Sequence, residues 1–194
     1  MHQPPKPYHQ NILNIAFSVN DLRTEHWDPN YPLHITVFVS QLRVEQVYID
    51  NGSRVNVIYQ HYLRQLPIKW KEYLQPPSQG PLVGFTSHHI WPTGTVRLPF
   101  TLTSHDEAKE ITRALEFSVV DRPTEHNILL ARPALFQLQA IPSTLHGVLK
   151  FNTSDGSATV VVTKPKIGHD VERAARQETQ SRQNEGRQKK RRPT

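Results

Sequence analysis

Apolar residues along this chain come in short runs rich in Val, Ile, Leu and Phe, broken by polar stretches that carry Pro, Gly, Asn or Asp. Runs of this length and composition read as strands. The pattern predicts strands over 12–19, with Ile15 and Phe17 on one face, over 33–39 and over 44–49. The short link Ser40-Gln41-Leu42-Arg43 joins the last two as a hairpin. Further strands are expected over 82–85, 95–102 and 115–121, with a fully apolar one of the buried kind over 127–130. Residues 82–85 and 95–102 read as the arms of a long hairpin with an exposed, partly aromatic tip. Pro99, which has no N–H to give a ladder, marks a sheet edge or bulge. Strands over 147–151 and 158–162 flank the turn signal Asp155-Gly156. Helical spacing is confined to short pieces. Tyr59, Tyr62, Leu63 and Leu66 stand at i, i+3, i+4 and i+7 and are stopped by Pro67, and Pro133 sits in the first turn of a second helix over 132–138. Residues 69–80 read as an irregular connection and 139–142 as the exit from the second helix. The chain is therefore expected to be all-β with one or two short helices.

One stretch is ambiguous. In Val47-Tyr48-Ile49-Asp50-Asn51-Gly52-Ser53-Arg54-Val55-Asn56-Val57-Ile58-Tyr59 an apolar run ends in a lone Asp and a second run follows. Asn-Gly between apolar residues is a strong hairpin signal. The same residues fit a loop that presents one carboxylate at a strand's tip, the Gly permitting a tight turn. The helix-spaced residues that follow weaken the hairpin reading, and the local pattern leaves both open.

Composition narrows the function classes. The chain has 194 residues, enough for one domain with a core and a tail. There is no Cys, so disulfides, thiol catalysis and Cys-based zinc sites are excluded. The segment from Lys164 onward holds ten Lys and Arg against four Asp and Glu, which accounts for the whole net charge of +6. The expected organisation is a lead-in over 1–10, a domain over 11–163 and a basic, disordered tail over 164–194. The neutral domain gives no reason to expect nucleic-acid binding, which is left to the tail as a weak reading. No signal peptide or membrane-length apolar run is read, so the expected location is the cytoplasm, with nuclear import through the basic run as the other reading. Adjacent His88-His89 would point to opposite faces of a strand, so no metal site is expected, and no HExxH, P-loop or nucleotide-binding Gly run occurs.

The order of motifs resembles the retropepsin-like aspartic protease domain of plant Gypsy-type LTR retrotransposon Gag-Pol polyproteins. The matching pieces are Ile15-Ala16-Phe17-Ser18 with Asp21-Leu22; Val47-Tyr48-Ile49-Asp50-Asn51-Gly52-Ser53; Leu82-Val83-Gly84-Phe85 through Gly94-Thr95-Val96-Arg97-Leu98-Pro99; Phe117-Ser118-Val119-Val120-Asp121 with Asn127-Ile128-Leu129-Leu130-Ala131-Arg132-Pro133; and Ala140-Ile141-Pro142-Ser143-Thr144-Leu145-His146 with Leu149-Lys150-Phe151. The resemblance runs from about Ile12 to Val162.

It implies a retropepsin-like closed β-barrel and an aspartic endopeptidase without a cofactor. Asp50 would be the catalytic residue, with Asn51, Gly52 and Ser53 in its loop, Ser53 hydrogen-bonding near the carboxylate. Gly84, Phe85, Thr86, Ser87, His88, His89, Ile90 and Trp91 would form a flap over substrate, and Leu129, Leu130 and Ala131 would lie under the site. The chain holds one D-x-G, so a two-carboxylate site implies a homodimer acting on a polypeptide, the Gag-Pol polyprotein. Two residues depart from the family pattern. Asn51 stands where a Thr or Ser hydroxyl would tie the two active-site loops together, and Ala131 stands where the family has Gly. A second reading follows from these departures: a catalytically decayed or co-opted module of the same fold that dimerises and binds peptides.

Overall fold

Alternation builds the central strands. In Gly94–Thr103 the side chains of Val96, Leu98, Phe100 and Leu102 are buried while Arg97 and Pro99 are exposed, the period-two pattern of a strand with one face on a core. The computed structural model describes residues 15–22, 32–66, 69–83, 89–154, 156–161 and 163. All belong to one compact unit, Met1–Lys164, and a second unit, Pro165–Thr194, lies outside the described residues, as do the expected lead-in and basic tail.

The strands are β1 (His34–Val39), β2 (Leu42–Asp50), β3 (Val57–Tyr59), β4 (Leu82–Val83), β5 (His89–Ile90), β6 (Gly94–Thr103), β7 (Glu110–Val120), β8 (Ile128–Ala131), β9 (Ala140–Ser143), β10 (Val148–Thr153) and β11 (Gly156–Val161). The helices are α1 (Gln60–Leu63), α2 (Trp70–Tyr73) and α3 (Arg132–Gln137). Six strands close a barrel in the order β1-β2-β8-β3-β7-β6, and β11-β10-β9 form a separate three-stranded sheet. The fold is thus all-β, a closed barrel with few short helices. Ile35, Ile58, Phe100, Phe117, Ile128 and Leu130 fill one continuous core that also takes in Leu149 and Phe151 of β10. No helix among the described residues is long and apolar enough to cross a membrane.

Several expectations need correction. Residues 15–18 form no strand, and a 3-10 turn follows at Val19–Asp21. Asp21 holds this segment down. Its carboxylate is 2.8 Å from the Lys150 ammonium, which keeps the Asp21 pKa below the usual carboxylate range. The helix expected up to Leu66 is the single turn α1, because Val57–Tyr59 is spent on β3. A further helical turn, α2, lies within the stretch expected to be irregular, where Trp70 is buried. Residues 140–143 are a strand rather than a helix exit.

Residues 82–83 pair with β5, not with β6, whereas β6 pairs along its whole length with β7. Pro99 lies within β6, opposite Ala114. Its carbonyl accepts the Ser40 N–H at the point where pairing with β1 has not yet begun, so no ladder donor is missed. Thr153 pairs with Gly156, so Gly156, expected in the turn, is the first residue of β11. Asp155 lies outside the described residues. Gly94 allows a close approach: a Cβ there would sit 2.6 Å from Leu74 Cδ1 and 2.8 Å from the Gln75 carbonyl.

Candidate active site

The barrel topology decides between hairpin and loop. β2 does not turn back on itself after Asp50. It lies parallel to β8, with Asp50 opposite Ala131. β8 in turn lies antiparallel to β3, so it is inserted between the two strands that residues 51–56 connect. That connection therefore arches across the end of β8, and the carboxylate at its start is partly exposed.

Hydrogen bonds fix the arch. The Gly52 N–H donates to Asp50 Oδ1 at 2.9 Å, and the Ser53 N–H donates to the Asp50 carbonyl at 3.2 Å. A side chain at position 52 would bring its Cβ to 3.1 Å from Asp50 Oδ1, so Gly lets the carboxylate fold back onto the loop amide. The Ser53 hydroxyl turns away from the carboxylate and bonds to Val55, donating to its carbonyl at 3.2 Å. The Asn51 side chain is exposed.

Two residues not singled out from the sequence as site residues hold the arch to the barrel. Asn56 is 4% exposed. Its Oδ1 accepts the Ala131 N–H at 3.0 Å, its Nδ2 donates to the Glu116 carbonyl at 2.9 Å, and its own carbonyl accepts the Ser118 N–H at 2.9 Å. One amide side chain thereby joins the loop to β8 and β7. Arg132, the first residue of α3, donates through Nη1 to the carbonyls of Gly52 at 2.7 Å and Asn51 at 3.3 Å. Its N–H donates to the Ser53 carbonyl at 3.3 Å. The available signal for Asn56 was a polar residue between Val55 and Val57; for Arg132 it was a cation beside Pro133 at a helix start.

The apolar residues expected under the site lie along β8. Leu130 and Ala131 are fully buried and Leu129 is partly so. Ala131 has an ordinary extended backbone (φ −95°, ψ 179°). Of the expected flap residues, His89 and Ile90 form β5 and Trp91 is 69% exposed. Gly84, Phe85, Thr86, Ser87 and His88 lie outside the described residues. Among the described residues no group of three or more His, Asp or Glu is arranged to hold a metal ion. The arrangement as a whole presents one partly exposed carboxylate, oriented by a backbone amide, at the end of β2.

No protein-family model and no curated protein matches the chain. Among solved structures, it is similar to the retroviral protease-like domain of Ddi1 from Leishmania major. The identity is 12% and the TM-score 0.49, with 70% of this chain and 99% of that chain covered.

Proposed function

We propose that this chain is a retropepsin-like aspartic endopeptidase that works as a homodimer on an extended polypeptide, with a retrotransposon Gag-Pol polyprotein as substrate. The observation that carries the reading is Asp50 at the tip of β2, partly exposed and pinned by its own loop. The order of the sequence motifs supports it.

In the proposed dimer the two Asp50 carboxylates lie close together and share one proton, because like charges at that distance do not both ionise. The ionised carboxylate takes a proton from a water molecule as its oxygen attacks the peptide carbonyl carbon. The protonated carboxyl gives its proton to the carbonyl oxygen. Collapse of the tetrahedral diol breaks the C–N bond: the carboxyl that took the water proton gives it to the leaving nitrogen, a diol hydroxyl gives its proton to the other carboxylate, and the shared-proton state is restored. Activity then requires one proton across the pair and peaks at mildly acidic pH. Peptide cleavage that disappears in Asp50→Asn and is blocked by a statine-type transition-state mimic is the expected result. Retained cleavage in that variant would remove Asp50 from the mechanism.

A second reading, a catalytically silent module that dimerises and binds peptides, is favoured by one feature. Asn51 brings no hydroxyl and the Ser53 hydroxyl is committed to Val55, so neither is placed as the tie that resembling proteases use between loops. Cleavage that emerges only in Asn51→Thr combined with Ala131→Gly supports this reading, and robust wild-type cleavage ends it.

A further inference from the structure

A cleft of about 290 Å³ opens immediately beyond the candidate catalytic loop. Arg54 and Asn56 of the loop line it, with Arg97 of β6, Glu116 of β7, Gln137 of α3 and Gln79. We propose that it recognises an acidic side chain on an extended peptide segment, with Arg54 and Arg97 as its carboxylate ligands.

Arg97 and Glu116 stand directly opposite each other on the β6–β7 ladder, where opposite charges ordinarily pair. They form no ion pair here. Glu116 Oε1 instead accepts the Ser78 hydroxyl at 3.1 Å. Arg54 and Arg97 make no hydrogen bond or ion pair with any described residue. Two guanidinium forks are thus left facing one concave space, and a fork matches a carboxylate through paired N–H···O bonds.

The rest of the lining decides the class of ligand. Glu116 brings the lining to one net positive charge, too little for a polyanion such as nucleic acid and repulsive to closely spaced phosphates. The amides of Gln79 and Gln137 both donate and accept, which suits the N–H and C=O groups of a peptide backbone. The cleft also lies close to the reacting centre. Arg54 is four residues past Asp50, a span of at most about 14 Å of extended chain. An acidic residue within about four positions of a bond held at Asp50 would reach it. That this segment is the substrate rests on the endopeptidase reading; the anion preference of the cleft does not.

The test uses the full chain carrying Asp50→Asn and fluorescence anisotropy of a labelled Ala/Ser decapeptide with two adjacent Glu, against its twin with Gln. The Glu peptide should bind about tenfold tighter, as expected for a charge-assisted bond. Arg97→Gln and Arg54→Gln should each shrink that preference, weakening the Glu peptide more than the Gln twin. Twins that bind alike, or fail to bind, overturn the inference, as does a preference that survives both substitutions. Cleavage by the wild-type chain of longer peptides containing the same segments separates the two proposals. Cleavage without a Glu preference leaves the enzyme and removes the cleft. A Glu preference in binding without any cleavage does the reverse.

Discussion

Asn56 interrupts an apolar run, yet its amide makes two buried hydrogen bonds that no apolar residue there could replace. Asn56→Ala leaves the Ala131 N–H and the Glu116 carbonyl unpaired, and unpaired buried groups cost about 1–3 kcal/mol each. A loss of about 2–4 kcal/mol in urea unfolding is expected; a change within error would show that water replaces both bonds. The importance of Asn56 was not legible because its partners lie far away in sequence, on β7 and β8. Asp50 and Gly52 were legible because their contact is local.

A second residue-scale feature is the pair His34 and His126. His34 Nδ1 lies 3.0 Å from the Pro32 carbonyl, which can only accept, so that nitrogen carries the proton. His34 Nε2 then accepts from His126 Nδ1 at 3.1 Å. The Tyr48 ring packs against both imidazoles, and Glu125 adjoins His126. Burial pushes both pKa values down. The unfolded chain therefore takes up protons first as pH falls through about 6.5, and stability declines across that window until the folded values are passed. A lower Tm at about pH 5 than at about pH 7 is expected, with the difference reduced in His34→Gln/His126→Gln. An unchanged pH slope in the double variant contradicts this assignment. Asp21, held low by Lys150, adds its own loss of stability only at more acidic pH, below the ordinary carboxylate value of about 3.9.

At the scale of elements, most of the longer strands and the β1–β2 and β10–β11 hairpins were legible from alternation and turn residues, since a hairpin is a local decision, whereas the short strands β3 and β9 were read as part of a helix and as a helix exit. The parallel pairing of β2 with β8 and of β3 with β7 was not, because it joins segments tens of residues apart. The partners of the 82–83 strand were also misjudged: Gln75, not that strand, bridges to Thr95 beside Gly94. Gly94→Ala would drive a Cβ into Leu74 and into the Gln75 carbonyl, and that carbonyl is fixed by the Thr95 N–H at 2.9 Å. A cost of about 1–3 kcal/mol in thermal or urea unfolding is expected; an unperturbed variant would mean that the 74–75 segment moves freely. Two motifs distant in sequence prove to be one contact. Phe17 stacks on His146 at 5.2 Å and Lys150 lies over the Phe17 ring. The Ile-x-Phe-Ser entry is thus docked on the β9–β10 hairpin.

For the whole molecule, one barrel presents one Asp50, and the proposed chemistry needs two. The proposed function is therefore tied to association of two chains. The chain's excess charge lies in the segment from Lys164 onward, so the barrel can associate without net repulsion. Cleavage of a Gag-Pol polypeptide by wild type and Asp50→Asn, with the oligomeric state followed by analytical ultracentrifugation over the same concentrations, tests the central claim most directly. The account predicts cleavage that rises with the dimer fraction and is absent in Asp50→Asn even where that variant dimerises. Cleavage that persists in Asp50→Asn, or a wild-type dimer that never cleaves, would contradict it.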